Sequence, residues 1–159
     1  MSDVVWALDP ERDELGELVA RVRAFASEVL PPSGVAFSVV APTDAATLAT
    51  KVGAEPRRHA YLVVKEALSN IARHAEARSA SISLGLRDGA IEAIVSDDGR
   101  GFHPVPAGAA PTLGGNGLRN MRGRASRCGG TLDVDSTPEL GTTITLRIPV
   151  GRRGGGGYA

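Results

Sequence analysis

Three features of the sequence predict an α+β fold. Residues 10–30 and 57–75 carry apolar side chains three and four positions apart, which builds one face of a helix. Residues 81–96 and 132–148 instead alternate apolar with polar side chains, as half-buried strands do, and each stretch is interrupted by turn-forming residues. Short glycine-bearing boxes, Asp97 to Gly101 and Gly114 to Gly117, lie among these elements. At 159 residues one domain is expected, large enough to bury a core without disulfides or structural metal.

Asp9-Pro10 reads as an N-cap followed by proline at the first helical position, with Glu11 and Asp13 in an acidic first turn. This helix runs to about Leu30, its stripe of Leu15, Leu18, Val22, Phe25 and Val29 facing the core, and Pro31-Pro32-Ser33-Gly34 stops it. Val35, Phe37 and Val39 then alternate as a strand, and the alanine-rich residues 42–56 read as loop with room for a helical turn. From Arg57 to Ala75 the helical signal is strong: Val64, Leu68, Ile71 and Ala75 share one side, His59, Glu66, Asn70 and Arg73 the other. Strands Ser81 to Leu86 and Ile91 to Ser96 meet at Asp88-Gly89, a dipeptide suited to a tight hairpin. The Gly/Pro/Ala-rich run from His103 to Gly115 reads as a mobile lid. Leu118, Met121, Ala125 and Cys128 mark a short helix ended by Gly129-Gly130. A second hairpin sets Leu132 and Val134 against Ile144, Leu146 and Ile148 across Pro138 to Gly141. The expected organisation is a linker and first helix over residues 1–30, the main domain over 31–150 and a disordered Gly-rich tail over 151–159.

Composition narrows the function. Formal net charge is zero, so no global field gathers polyanions, and nucleic acid is not an expected partner. One cysteine, Cys128, excludes an internal disulfide and suits a reducing compartment. No apolar run approaches the roughly 18–20 residues that cross a bilayer, and the N-terminal residues lack the pattern of a secretion signal; a cytoplasmic location without membrane insertion is expected. Against sixteen arginines stand two lysines, Lys51 and Lys65, and neither follows a glycine. The Gly-Lys phosphate loop is therefore excluded.

Three boxes carry chemistry. On the 57–75 helix, Glu66 and Asn70 lie one turn apart on one face, with Arg73 and His74 following. A neutral amide oxygen such as that of Asn70 can complete the shell of a magnesium ion that takes its other ligands from water and phosphate. Glu66 could accept a proton or orient an attacking group near the same phosphates, whose charge Arg73 and His74 would neutralise. Asp97, at the edge of its strand, could accept a hydrogen bond from an exocyclic amine, while Gly99 and Gly101 would let the backbone approach a flat ring. Gly114-Gly115-Asn116-Gly117, just before Leu118, offers backbone amides at a helix N-terminus, an anion cradle. A dinucleotide fingerprint fails there, because Asn120 takes the third glycine's place and no strand immediately precedes. Taken singly, these segments also fit a solvated helix face, a glycine turn and a polar helix start. Arg119, Arg122, Arg124 and Arg127 read as a solvated or partner-docking face.

Residues 57–149 together resemble the ATP-binding catalytic domain of sensor histidine kinases, in the superfamily shared with gyrase, heat-shock chaperone and mismatch-repair ATPases. Residues 65–75 are similar to its N box, 97–102 to its G1 box and 115–121 to its G2 box, and Gly141-Thr142-Thr143 resembles the motif that closes the adenine pocket. The Arg-His-Ala ending, the Gly-Leu-Arg-Asn-Met run and the lack of an evident phenylalanine box resemble the subfamily that partners LuxR-type response regulators. Val5 to Glu11 resembles that subfamily's junction with its dimerising helices. The resemblance implies a two-layer sandwich of the Bergerat type, a mixed sheet with helices on one face, and makes residues 31–150 an ATP-binding catalytic domain. It also implies roles: Asn70 for magnesium, Asp97 for the adenine amine, Thr142 for the same amine through water, and Glu66 for assisting the phosphoacceptor. Arg73, His74, Gly99, Gly101, Gly115, Gly117 and Leu118 would line the ATP site.

One departure matters. The family's phosphoacceptor histidine lies on an upstream helix next to an acidic residue, and His59, His74 and His103 all lack that setting. The chain reads as the catalytic half of a kinase that is a homodimer at full length, using a phosphoacceptor domain and, through it, a response regulator as partners. Two alternatives stand beside it: a serine kinase of the anti-sigma-factor kind, and a non-catalytic ATP-sensing interaction module.

Overall fold

The two hairpins and the 35–39 segment join one five-stranded sheet in the computed structural model, which describes residues 13–103 and 115–150. Strands β1 (Ala36–Val40), β2 (Ser79–Arg87), β3 (Ala90–Asp97), β4 (Thr131–Thr137) and β5 (Gly141–Pro149) lie in the order β1-β2-β3-β5-β4. β1 pairs parallel with β2, and the remaining pairs are antiparallel, so the sheet is mixed. Helices α1 (Leu15–Val29), α2 (Ala45–Leu48), α3 (Ala54–Asn70) and α4 (Gly115–Arg127) complete the described elements.

Strand alternation decides which face is covered. Ile82 and Leu84 of β2, Ile91, Ala93 and Val95 of β3, and Ile144, Leu146 and Ile148 of β5 are buried on one side. There they join one cluster with Leu18 and Val22 of α1, Val64 and Leu68 of α3, and Met121 and Ala125 of α4. The intervening Ser81, Ser83 and Asp133 are exposed on the other side. The two-layer α+β arrangement follows from that asymmetry.

Both hairpins take the predicted positions. Asp88 and Gly89 have φ of 50° and 75°, the paired positive values that match the twist of a two-residue hairpin, and Arg87 opposes Ala90. In the second hairpin Leu132 opposes Leu146 and Val134 opposes Ile144. Gly129, with φ of 68°, follows the end of α4 as expected of a C-terminal glycine.

Four expectations change. α1 starts at Leu15 rather than near Pro10, because residues 13–14 are extended against residues 50–52: Val52 N–H donates to the Asp13 carbonyl at 2.8 Å, and Leu15 N–H to the Thr50 carbonyl at 3.0 Å. Asp13 therefore lies outside the first helical turn and meets the Lys51 ammonium at 3.0 Å; Asp9, Pro10 and Glu11 fall outside the described residues. Within residues 42–56, Asp44 caps the short α2 by accepting the Thr47 N–H at 2.8 Å, and α3 already begins at Ala54. At its other end α3 gives way to a wide π turn over Ile71–Ala75, closed by Glu76 at φ 52°. Finally, His59 is only 4% exposed and Arg57 is fully buried, because α3 packs between α1 and α4 and its polar strip narrows accordingly. Burial, and then the neighbouring Arg58, lower the His59 pKa, with Glu55 opposing. Of the predicted lid from His103 to Gly115, residues 104–114 lie outside the described residues and Gly115 opens α4, and the predicted tail over 151–159 also lies outside them.

Leu68 is fully buried where α3 meets the sheet layer. Leu68→Ala should lower unfolding stability by about 2–5 kcal/mol through lost transfer energy and the cavity left behind, measured by urea denaturation.

Candidate functional site

The site grows from the one helix that touches both other boxes. Leu62, Lys65, Glu66, Ser69 and Arg73, from α3 and the wide turn, face Asn120, Met121 and Arg124 of α4 across a cleft of about 300 Å³. Gly117 explains how the helices come so close: a Cβ there would stand 2.6 Å from Glu66 Oε1 and 3.5 Å from Asn70 Nδ2. The missing side chain thus brings the first turn of α4 against the acid and the amide. Gly115 to Leu118 form that first turn itself rather than a loop before it, and its N–H groups have no acceptor within the helix. The box still offers backbone donors, now with helical direction.

Strand β3 delivers the second box. Asp97 is its last residue, opposite Ala80 on β2 and Thr142 on β5. The half-buried carboxylate accepts the Gly99 N–H at 2.8 Å. Burial raises the Asp97 pKa above the ordinary value, while backbone N–H bonds from Gly99 and Thr142 pull it back. Thr142 is itself buried, and its hydroxyl pairs with Ser136 Oγ at 2.8 Å. Ser136 in turn accepts the Phe102 N–H at 2.9 Å, which fixes the loop that follows Asp97.

The glycines of this loop answer to the chain's own backbone. A Cβ on Gly99 would collide with the Ala75 carbonyl oxygen, and one on Gly101, at φ 60°, with the Thr137 carbonyl oxygen. Arg100 N–H donates to the Ala75 carbonyl at 2.8 Å, and Glu139 N–H to the Arg100 carbonyl at 2.7 Å. The loop is held between the wide turn after α3 and the β4–β5 hairpin. Close approach needed glycine here, as the sequence suggested, but the visible neighbour is peptide.

The sequence-predicted residues therefore fall into two linked groups. Glu66, Asn70 and Gly117 converge, and of the predicted residues Glu66 and Arg73 line the cleft. Asp97, Gly99, Gly101 and Thr142 form the second group, tied to the first through Ala75. His74 is exposed on the wide turn and does not line the cleft, and Leu118 packs half-buried against the core. Sequence reasoning passed over Ser136, although it interrupts the apolar alternation Leu132, Val134 at an inward position, a readable signal. It also read Arg124 as part of a solvated or partner-docking face and gave Asn120 no role at the site, whereas both line the cleft. Arg124 is pulled to a lower pKa by burial and by Arg58 and Arg127, with Glu66 opposing.

With this geometry in place, the class is defined: the chain belongs to the histidine kinase-, DNA gyrase B- and HSP90-like ATPase family, whose model matches residues 55–152. Among particular relatives, the chain is 35% identical over 92 residues to the sensor histidine kinase LiaS of Bacillus subtilis, covering 58% of this chain and 24% of that one. It is 40% identical over 90 residues to the oxygen sensor histidine kinase NreB of Staphylococcus carnosus, covering 57% and 25%. The chain thus spans about a quarter of these curated relatives. Among solved structures, the histidine kinase domain of the Erythrobacter litoralis EL346 blue-light activated histidine kinase superposes with a TM-score of 0.64 at 25% identity, over 84% of this chain and 61% of that one. The catalytic domain of histidine kinase ThkA shares the fold, with a TM-score of 0.65 at 18% identity over 86% and 94%. Among the described residues no helix is long and apolar enough to cross a membrane.

The two glycine contacts separate fold from site. Gly99→Ala pushes against a backbone carbonyl and should cost about 1–3 kcal/mol, whereas Gly117→Ala meets the movable end of Glu66 and should leave stability within about 1 kcal/mol. Urea denaturation of both variants checks the contrast.

Proposed function

We propose that this chain binds ATP with magnesium and presents the γ-phosphate for in-line transfer to a histidine on a separate phosphoacceptor domain, as the catalytic part of a two-component sensor kinase. The observation that carries the reading is the convergence of Glu66, Asn70 and the first turn of α4 at Gly117. Phosphoryl transfer depends on positioning and on neutralising charge, and these parts supply both. Backbone N–H groups of residues 115–118 hold phosphate oxygens, and Arg73 adds positive charge at the cleft. Asp97 accepts the adenine amine, with Thr142 beside it and Gly99 and Gly101 shaping the floor. Glu66 orients the imidazole and takes its proton, while the imidazole nitrogen bonds to phosphorus, the bridging oxygen leaves and ADP departs.

The donor set suits magnesium. Asn70 offers one neutral amide oxygen, and the described residues contain no group of three His, Cys, Asp or Glu to hold a metal. A hard ion with few protein ligands and the rest from phosphate and water fits that description, and when bound it offsets phosphate charge. The phosphoacceptor domain, and a LuxR-type response regulator beyond it, are the partners this role requires. Support comes from the relatives named sensor histidine kinases and from the absence of an acceptor-like setting at His59, His74 and His103.

Titrating ATP with and without magnesium should show tighter binding with the metal, by roughly tenfold, and Asn70→Ala should lose that gain while keeping metal-free binding. Equal affinity in all four measurements overturns the assignment.

Asp97 gives a pH signature. Its folded pKa lies above the unfolded value, so the native state holds the proton more tightly, and ionisation costs stability as pH rises through that interval. Reading the amine needs the carboxylate. ATP affinity should therefore fall on acidification through the raised pKa, beginning above the ordinary aspartate range near about 3.9, whereas Asp97→Asn should bind weakly with no such step. Calorimetric titration from about pH 7 downward checks both.

A further inference from the structure

Asp98 has no role in the reading above, yet its carboxylate is the most heavily bonded exposed acid of the site. Oδ1 accepts the Arg78 N–H at 2.8 Å and the Ser79 N–H at 2.9 Å, and Oδ2 accepts the Ser79 hydroxyl at 2.9 Å. The Asp98 N–H returns a bond to the Ser79 carbonyl at 3.2 Å. Four bonds thus tie one residue to the start of β2. These bonds, led by those from Ser79, hold its carboxyl below the usual range, so the acceptor stays ionised near neutrality.

Its neighbours give the clamp a purpose. Asp97 and Gly99 flank Asp98, and the Asp97 carboxylate is oriented by the Gly99 N–H at 2.8 Å. Gly99 belongs to the loop, so this bond turns the carboxylate with the loop, while a Thr142 N–H bonds it from β5. The loop needs an outside anchor, and Asp98 supplies one on β2 while Arg100 supplies another on Ala75.

We infer that Asp98 is a positioning residue for base recognition: its clamp on Arg78 and Ser79 aims the Asp97 carboxylate, and so sets the preference of the site for adenine over guanine nucleotides. The inference rests on the reading of Asp97 given above. An acceptor-only carboxylate favours the adenine amine and opposes the guanine carbonyl at the corresponding position, so discrimination depends on where that carboxylate points. Phosphate and metal contacts, made elsewhere, are common to both nucleotides.

The test measures ATP and GTP affinities with magnesium for the unaltered chain and for Asp97→Asn, Asp98→Ala, Asp98→Asn and Ser79→Ala, with a thermal melt of each. The expected result is a clear ATP preference that Asp97→Asn abolishes and Asp98→Ala narrows by about tenfold, mostly through weaker ATP binding. Asp98→Asn keeps an oxygen for both backbone N–H groups and should stay within about twofold of the original ratio. Ser79→Ala loses one bond of the clamp and should narrow the ratio by about two- to threefold. A merely structural role would weaken both nucleotides equally with a lowered melting temperature and an unchanged ratio, and that result overturns the inference. Should Asp98→Ala fail to fold, the Ser79→Ala ratio decides in the same way. If Asp97→Asn abolishes the preference and Asp98→Ala preserves it, only the positioning role fails. If the unaltered chain shows no ATP preference, the reading of Asp97 fails and the inference falls with it.

Discussion

The Ala75 carbonyl, at the end of the wide turn after α3, accepts the Arg100 N–H and occupies the place a side chain on Gly99 would need. This contact joins the helix that carries Glu66 and Asn70 to the loop that carries Asp97. It ties the two groups of residues together above the packing of α3 on β3 and β5. The wide turn is what makes the contact available: an ordinary α-helical end would direct its last carbonyls along the axis, while five residues in a π turn leave the backbone broader at its C-terminal end.

A second close approach completes the arrangement from the other side. Gly117 lets the first turn of α4 meet Glu66 and Asn70, so backbone closes on the last turns of α3 as well as on the wide turn that follows. Charge follows packing here. Arg124 comes near Glu66 because α4 lies against α3, and the same closeness sets it against Arg58, while Arg127 stands one turn along α4 itself. The hydrophobic layer beneath, from Leu68 and Met121 to Ile144 and Leu146, is what holds those helices in register over the sheet. Function at the surface thus depends on a core that binds nothing.

Much of this was readable in the chain. Period-two alternation marked residues 81–86 and 91–96 as paired strands and set Leu132 and Val134 against Ile144, Leu146 and Ile148, and Asp88-Gly89 marked its turn, because local pattern and turn chemistry act over a few residues. Other features were not. His59 reads as polar-face and is buried, since the width of a helix's solvent strip is set by its neighbours rather than by its own periodicity. The start of α1 was misplaced for a related reason: residues 13–14 pair with residues 50–52, a contact between distant segments.

By itself the sequence determined the residue types of the site, the order of the three boxes and the α+β class, because side-chain chemistry and periodicity are written locally. Tertiary structure decided which glycines face peptide, that Ser136 backs Thr142 and that Asp98 grips the start of β2. Those relations join residues far apart in the chain, and their distances exist only once the sheet has formed and the helices have packed upon it.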